Sequence, residues 1–399
     1  MSRPNTRLRQ LREHTARLTR QGLAERANAY LWNQYSARVE LDANYIGKLE
    51  RGVISWPGGR YREAFRAVLG VATDAELGFR NTRRTPPVHP RPDLPGPARV
   101  DERHVREVLG AADLLHRWHH LHGGWSMRAA TLAQLRWAAW LRRTEVPEAL
   151  RRQLDSAIAH LAHTCGFMAF DTGDHPGTRR YLRFALSCAE SAADWQSRAF
   201  ILASLARHAT WVGQSEEALT FTQHALVRAD RLTATERSML HTARAKALAA
   251  TGRTREAVRE LGIADDQFSR ADPRDDPPWM SFYDRAQHSG DTAEAFAYLR
   301  AGGDRTVETR TRFTAAYAGH GAPYARSRAL AHARLATVVL AGGDLAEGAA
   351  IGGAALETAG TIRSALITDT LRALDRCAAR HVDVREVRDL RERLRPRLS

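Results

Sequence analysis

The stretch Gly213-Gln-Ser-Glu-Glu-Ala-Leu-Thr-Phe-Thr-Gln-His-Ala-Leu226 is one of five similar segments that decide the fold of most of this chain. The segment that starts at Gly173 has the same outline, a glycine-led turn, a helical stretch and an Ala-Leu pair. Shorter copies start at Gly252, Gly290 and Gly343, so successive glycines are 40, 39, 38 and 53 residues apart. Glycine suits the left-handed turn between two helices. The pattern therefore predicts antiparallel helix pairs stacked in series, with turns at these glycines.

Small residues recur on both helices of each predicted pair, where two backbones must approach closely. Helices predicted at 103–121 and 126–143, and a final pair after Ser364, would cap the two ends of the stack. The fold class predicted for this part is an all-α solenoid. The small residues are Gly166, Ala206, Ala245 and Ala336 before the turns, and Ala218, Ala257 and Ala295 after them.

These repeats resemble tetratricopeptide repeats (TPR) with longer joints. In such arrays the first helix of each pair lines the concave face, so the resemblance implies a ligand-binding groove. Arg207 and Trp211 lie one helical turn apart, and with Lys246 they could hold a peptide carboxylate or another anion beside an apolar surface. The alternative is that the groove residues only pack the repeats and solvate their face. The predicted groove residues are Phe167, Phe170, Arg207, Trp211, Lys246, Asp284 and Gln287.

Near the N-terminus, the stretch Asp42-Ala-Asn-Tyr-Ile-Gly-Lys-Leu-Glu-Arg-Gly52 predicts a short helix, capped by its aspartate and ended by its glycine. Ile46 and Leu49 face inward. Small outer residues would let the helix enter a major groove, where Asn can pair with adenine and Lys can donate to guanine. An ordinary surface helix that ends in glycine has the same pattern. The predicted outer residues are Ala43, Asn44, Gly47 and Lys48.

Four more helices are predicted around this one, at residues 5–14, 19–30, 59–69 and 73–77. Two segments then resemble the phage-repressor-like (XRE, lambda/434-type) helix-turn-helix family. Leu18-Thr-Arg-Gln-Gly-Leu-Ala-Glu-Arg26 is similar to its Leu-Ser-Gln-x-x-Leu-Ala signature, and the segment from Asn44 to Gly52 is similar to its Tyr-Ile-Ser-x-Ile-Glu-Arg-Gly. The resemblance implies an N-terminal five-helix helix-turn-helix DNA-binding domain.

The resemblance also implies which residues contact DNA. Arg20, together with Arg51 or Arg60, would contact phosphates, and Ala43, Asn44, Tyr45 and Lys48 would approach base edges. One departure from the family is the segment 31–41, which is longer than the family's tight turn. Trp32 and Val39 in this segment are expected to pack on the core, and its length leaves open how the third helix is placed.

The domain boundaries follow from a change in composition. Six of the fifteen prolines fall within residues 81–98, which predicts a partly extended linker. We therefore expect a DNA-binding domain at 1–80, a Pro/Arg-rich linker at 81–99 and a TPR-like helical domain at 100–399. The combination resembles actinobacterial regulators with a repressor-like domain before a tetratricopeptide array, and quorum-sensing regulators of the Rap type, which bind a signal peptide.

The charge of the chain favours a polyanionic partner. The net charge is +15, and residues 1–84 alone carry +8 of it, as phosphate neutralisation requires. With 43% hydrophobic and 26% charged residues, the composition is typical of a soluble globular protein. We find no apolar run long enough to span a membrane and no signal-peptide core. The three separated cysteines, Cys165, Cys188 and Cys377, are predicted to be buried thiols in a reducing cytosol.

Histidines cluster at His116, His119, His120 and His122, and the first and third share a helix face. That spacing could hold zinc, but no cysteine or metalloprotease glutamate accompanies it, so we expect histidines on a surface at a helix joint. No phosphate-binding loop, nucleophile elbow or convincing Cys–His pair occurs. The sequence predicts no enzyme, no metal site and no cofactor.

The function predicted from the sequence is a sequence-specific transcriptional regulator that binds double-stranded operator DNA as a homodimer. Its TPR domain would serve dimerisation, sense a peptide or small-molecule signal, or do both. The expected location is the cytoplasm, at the nucleoid, without a membrane partner. The alternative is a TPR scaffold whose N-terminal domain docks a protein partner instead of DNA.

Overall fold

The computed structural model describes residues 4–35, 41–71, 73–74, 76–79, 97–299 and 304–398. The chain divides into two compact units, Met1–Pro86 (unit 1) and Pro87–Ser399 (unit 2), and each is described by itself. Within the described residues the secondary structure is helical, apart from one isolated bridge between Arg99 and Glu145. The all-α prediction is confirmed for this part of the chain. None of its helices is long and apolar enough to cross a membrane.

In its described residues, unit 1 contains four helices around one apolar core. The core is formed by side chains such as Leu23, Ile46, Leu49 and Phe65, which are fully buried. The first helix continues into a wider π-helical turn at Leu11–Thr15. The helices are α1 (Thr6–Gln10), α2 (Arg20–Tyr35), α3 (Ala43–Glu50) and α4 (Gly59–Leu69).

The third helix agrees with its sequence signals. The Asp42 side chain accepts a hydrogen bond from the backbone N–H of Tyr45 at 2.7 Å, which caps the N-terminus of α3. Gly52 has φ of 75°, the left-handed conformation that ends a helix. Ile46 and Leu49 face the core as predicted, but Gly47 is buried and not on the outer arc. A Cβ at Gly47 would lie 3.1 Å from the Arg51 guanidinium.

Three other expectations for unit 1 were wrong. The described residues within 73–79 form turns and not a fifth helix, and Asp74 there pairs with Arg62 and Arg66 of α4. α2 extends to Tyr35, well into the supposed connection. Trp32 is 56% exposed, so it does not pack on the core.

The entry to α3 is fixed by Asn28 of α2. Its side chain donates to the Leu41 carbonyl at 2.9 Å and accepts from the Leu41 N–H at 3.0 Å. Leu41 is itself buried. Val39 and the rest of residues 36–40 lie outside the described residues, as do residues 81–96 of the linker predicted at 81–99.

Unit 2 consists of successive helices joined by short turns. Short 3₁₀ segments occur at Ala229–Arg231, Pro278–Phe282 and Ala322–Tyr324. Two cysteines are buried, Cys377 is half-buried, and all three are free thiols. The helices are α5 (Glu102–His122), α6 (Arg128–Leu141), α7 (Glu148–Asp171), α8 (His175–Ser191), α9 (Trp195–Trp211), α10 (Ser215–Leu226), α11 (Ala234–Ala250), α12 (Thr254–Ser269), α13 (Arg285–Tyr298), α14 (Asp304–Gly319), α15 (Ala325–Ala341), α16 (Leu345–Ala359), α17 (Ala365–Ala378) and α18 (Arg385–Leu398).

Four of the five predicted glycine turns are confirmed. Gly173, Gly213, Gly252 and Gly343 have φ of 76°, 78°, 78° and 96° and join α7–α8, α9–α10, α11–α12 and α15–α16. Gly290 is different, because it lies inside α13 and is buried. A Cβ at Gly290 would lie 3.3 Å from the Cβ of Ala316 on α14. The glycine there permits close helix packing and makes no turn, so the predicted turn at Gly290 was wrong.

The two ends of unit 2 contact each other, which the prediction of two separate capped ends did not anticipate. α5 packs on α7 and also contacts α15, while α7 contacts α17. Phe170 of α7 is buried among α15 and α17 residues such as Leu330 and Leu366. The helix pairs of unit 2 therefore form a closed arrangement, and their first helices surround an interior space.

Candidate ligand cavity and nucleic-acid interface

The interior of unit 2 holds a cavity lined by the first helix of successive pairs. The free space among the lining side chains is about 1030 Å³ counted out to its mouth, and a water-sized sphere can occupy about 80 Å³ of it. This size suits a small molecule or the end of a longer ligand. The main lining residues are His116, His119 and His120 on α5, His163 and Phe167 on α7, Phe200, Ser204, Arg207 and Trp211 on α9, Met239, Thr242 and Lys246 on α11, Gln287, Asp291, Glu294 and Tyr298 on α13, Arg326 on α15, and Phe282.

Five of the seven predicted groove residues lie in this wall, namely Phe167, Arg207, Trp211, Lys246 and Gln287. The other two do not. Phe170 is only 1% exposed and packs between α15 and α17. The Asp284 side chain caps α13 by accepting from the backbone N–H of Gln287 at 2.9 Å. Whether the five wall residues bind a ligand stays a prediction.

A buried network of ion pairs crosses the cavity wall. The Lys246 ammonium contacts Asp291 at 2.8 Å and Glu294 at 2.7 Å, and Arg334 contacts the other oxygen of Glu294 at 2.7 Å. Burial would raise the pKa of both carboxyl groups. The neighbouring cations outweigh that effect, so the pKa of Asp291 is lowered and that of Glu294 is lowered to about 2. Both are therefore ionised.

A second buried ion pair closes the arrangement of helices. Asp171 at the end of α7 is fully buried and accepts from Arg326 at 3.1 Å and from the Ser364 hydroxyl at 2.6 Å. Its other oxygen accepts from the Gly124 backbone N–H at 2.8 Å. Asp171 thus joins segments 155 and 193 residues away in the chain. Burial lowers the pKa of Arg326, and the Asp171 carboxylate opposes that shift.

Arg207 is the cation that this network leaves without a close carboxylate. Its guanidinium lies 4.0 Å from Asp291, beyond hydrogen-bonding distance, and Asp291 already accepts from Lys246. The network and the second ion pair together comprise four cations and three carboxylates. The cations are Arg207, Lys246, Arg326 and Arg334, and the carboxylates are Asp171, Asp291 and Glu294. These ion pairs therefore carry one net positive charge, and Arg207, 4.0 Å from Asp291, makes the longest contact among them.

Aromatic side chains make the surroundings of Arg207 apolar. The guanidinium carbons of Arg207 and Arg326 lie 5.8 and 5.2 Å from the centre of the Phe167 ring. Phe200 and Phe282, whose ring centres are 5.7 Å apart, extend the apolar part of the wall. In such surroundings charge–charge interactions are stronger than in water. The wall can therefore bind an organic anion through Arg207 while its apolar part contacts the rings.

Three of the four clustered histidines, His116, His119 and His120, lie in the cavity wall, whereas His122 is exposed as expected. His119 and His120 are buried, and the rings of His116 and His120 are 4.7 Å apart. Burial is the main cause that lowers the pKa of His116 to about 4, and the pKa values of His119, His120 and His163 are lowered as well. These rings are therefore neutral near neutral pH. The part of the chain that the structure describes contains no metal-binding group of three His, Cys, Asp or Glu side chains.

Sequence reasoning missed Asp291, Glu294 and Arg326. The first two stand four and seven residues after Gln287 on one face of α13, and Tyr298 extends that face by another turn. This spacing was visible in the sequence, but the supposed turn at Gly290 concealed it. Arg326 had no such signal, because its role depends on contact with the distant Asp171.

A second, more open pocket adjoins the cavity, and a water-sized sphere can occupy about 400 Å³ of it against about 80 Å³ of the cavity. Trp211, Glu294 and Tyr298 line both spaces. These three side chains therefore separate the inner cavity from the wider pocket.

In unit 1, the candidate DNA-contacting face of α3 has two exposed polar side chains, Asn44 and Lys48. Ala43 is half-buried. Tyr45 is also half-buried, its ring 5.8 Å from Tyr61 of α4 in an edge-to-face contact. Burial raises the pKa of the Tyr45 hydroxyl. Only part of the predicted base-reading set is therefore fully exposed.

The predicted phosphate-contacting arginines differ in their surroundings. Arg20 at the start of α2 donates to Glu50 at 2.8 Å, and Glu50 also accepts from the buried Arg12 at 2.6 Å. These pairs hold α3 against α2 and the π turn. The Arg20 side chain nevertheless stays 43% exposed. Arg51 and Arg60 are exposed.

Comparisons with known proteins do not assign the chain to a family. It matches no family model and no curated protein. Among solved structures it is similar to a Rap protein complexed with competence and sporulation factor, with 11% identity, a TM-score of 0.42, and coverage of 72% of this chain and 89% of that chain. A likeness at this TM-score carries no argument, so the fold and the ligand chemistry rest on the chain's own contacts.

Proposed function

We propose that the protein is a ligand-responsive, DNA-binding transcriptional regulator of the cytoplasm. Unit 2 binds a small organic monoanion, or the carboxyl end of a peptide, in its cavity, and unit 1 binds operator DNA through α3. A ligand that favours one arrangement of the unit 2 helices would change the affinity for DNA.

The observation that carries the ligand half is the net positive charge of these ion pairs, among which Arg207 makes the longest contact. A cation held in a partly dry wall is costly unless a counter-charge reaches it. Lys246, Arg326 and Arg334 each have a carboxylate within 3.1 Å, whereas Arg207 does not come within hydrogen-bonding distance of Asp291. A ligand with one negative charge would complete the balance, and the adjacent Phe167 ring favours an apolar body next to that charge.

The DNA half is supported by the exposed face of α3 and by the charge of its surroundings. Asn44 and Lys48 are side chains that can read base edges in a major groove. Arg20, Arg51 and Arg60 would supply phosphate contacts, consistent with the net charge of +8 on residues 1–84. Glu50 holds Arg20 in place without burying it.

An exposed apolar face on α5 favours the proposed homodimer, and equally the alternative protein-interaction scaffold. Leu114, Trp118 and Leu121 share one helix face and are 55%, 39% and 38% exposed, with Trp125 at 55% nearby. Exposed apolar groups of this kind mark interaction surfaces. The two functions differ in whether unit 1 binds DNA.

The proposal is tested by selecting duplexes from a random pool with the full chain and measuring their Kd by fluorescence anisotropy. We expect the selected duplex to bind at least about 10³-fold tighter than unselected DNA. Saturating 3-phenylpropanoate, a small monoanion with an apolar body, should change that Kd by at least about fivefold.

Asn44→Ala with Lys48→Ala should abolish the sequence preference. Arg9→Ala removes one cation from an exposed position on α1 and is the matched control, which should keep the preference. If no sequence is enriched, the DNA-binding function is wrong and the scaffold alternative stands.

A further inference from the structure

The part of the cavity wall formed by α5 and the start of α15 contains buried polar atoms without partners among the described residues. Both ring nitrogens of His119, Nδ1 of His120 and Nε of Arg326 have no hydrogen-bonding partner among the described residues. His119 is 2% exposed, His120 8% and Arg326 4%. All three side chains line the cavity. Such orphaned groups are uncommon in folded proteins, and they indicate a place that a polar guest occupies.

The hydrogen-bonding capacity of this group can be specified. A neutral imidazole has one N–H donor and one nitrogen acceptor, and neither is used by His119 within the described part of the chain. His120 uses one nitrogen towards His116 at 3.2 Å. A group that can both donate and accept can pair with either His119 nitrogen, whichever of the two carries the proton. A hydroxyl or an amide does so, whereas a carboxylate only accepts.

Phe167 lies next to both His119 and Arg207, and its ring relates the positions of the two. The His119 ring lies 5.5 Å from the Phe167 ring in an edge-to-face contact, and the Arg207 guanidinium lies 5.8 Å from the same ring. The Phe167 ring thus has the Arg207 cation and the neutral His119 ring as neighbours. A ligand lying along Phe167 can reach both.

We propose that His119, together with His120 and Arg326, forms a second subsite that binds an uncharged hydroxyl or amide group of the ligand. This inference rests on the proposed function, in which Arg207 binds the carboxylate. The ligand class is then a compact monocarboxylate with an apolar middle and a hydroxyl or amide at its far end.

The test compares two acids that differ by one hydroxyl group, 3-phenylpropanoate and 3-(4-hydroxyphenyl)propanoate, by titration calorimetry on the full chain. We expect the hydroxylated acid to bind about five- to tenfold tighter, as one net hydrogen bond provides. In His119→Phe this preference should disappear, so that the two acids bind the variant with equal affinity, because Arg207 is retained for both.

His320→Phe is the matched control. His320 is also buried and also has an unpartnered ring nitrogen among the described residues, but it is not among the cavity-lining residues. This variant should keep the full preference for the hydroxylated acid.

Equal affinity of the wild-type protein for the two acids overturns the subsite and leaves the anion site intact. A preference that survives in His119→Phe also overturns it. If neither acid binds the wild-type protein, the anion site of the proposed function fails, and the subsite fails with it.

Discussion

Unit 1 and unit 2 each contain a buried carboxylate that holds cations from distant parts of the sequence, but the two differ in where the excess charge lies. In unit 1, Glu50 binds Arg12 and Arg20, and the Arg20 side chain remains 43% exposed. In unit 2, Asp171 binds the buried Arg326, and the half-buried Arg207 faces a cavity, 4.0 Å from its nearest carboxylate.

The difference shows how one chain can address two kinds of anion. Exposed cations remain hydrated, interact weakly with any single charge, and act together on a polyanion such as DNA. A cation in a partly dry cavity interacts strongly with one small anion and excludes large ones. The comparison therefore predicts that changes at buried charges of unit 2 have large effects, and that changes at its exposed charges have small ones.

The largest effect is expected from Asp171→Ala. The variant leaves Arg326, at 4% side-chain exposure, without its carboxylate, and it removes the acceptor for Ser364 and Gly124. We expect the free energy of unfolding of unit 2 to fall by about 3–5 kcal/mol, as measured by urea denaturation monitored by tryptophan fluorescence.

Asp266→Ala is the control for that variant. Its partner is Arg270 at 2.8 Å, but the two side chains are 48% and 67% exposed. The loss should be within about 0.5 kcal/mol. Similar losses in the two variants would break the distinction between buried and exposed charges.

A smaller, graded effect is expected from pH. The pKa of His116 is lowered to about 4, and those of His119, His120 and His163 are lowered too, mainly by burial. Unfolded histidines take up protons below about pH 6.5, while the folded ones stay neutral, so stability falls as the pH drops from there towards 4. The slope should approach about 1.4 kcal/mol per pH unit for each such histidine.

Urea denaturation at several pH values above about pH 5 isolates this effect, because carboxyl groups titrate mostly below that range. The lowered pKa values of Asp291 and Glu294 add a loss of stability only at lower pH. His119→Phe should reduce the slope by one histidine's share. Stability that does not vary over this range would contradict the placement of neutral histidines in the wall.

Local features of the fold were predictable because they depend on neighbours in sequence. The Asp42 cap, the end of α3 at Gly52 and the four glycine turns follow from residues within a few positions. Gly290 resembled those turns, but its role is set by Ala316 on another helix. The contact between the ends of unit 2 depends on how each pair rotates on the next, and no single repeat encodes that rotation.

The cavity was partly predictable for the same reason. Arg207, Trp211 and Lys246 follow from helix periodicity and the repeat alignment. Phe170 and Asp284 were assigned to the wall by the same alignment, but one packs against the last helices and the other caps α13. The charge balance could not be predicted, since it requires knowing that Asp171 meets Arg326 and that Lys246 meets two carboxylates.

The central claim is that Arg207, a half-buried cation in the cavity wall, binds the negative charge of a ligand. The most direct measurement is titration calorimetry of the full chain with 3-phenylpropanoate and with its neutral isostere 3-phenylpropanamide, on the wild-type protein and on Arg207→Gln. We expect the acid to bind the wild-type protein at least about tenfold tighter than the amide, and the variant to lose that preference. Equal binding of acid and amide by the wild-type protein, or an acid preference that persists in Arg207→Gln, would contradict the claim.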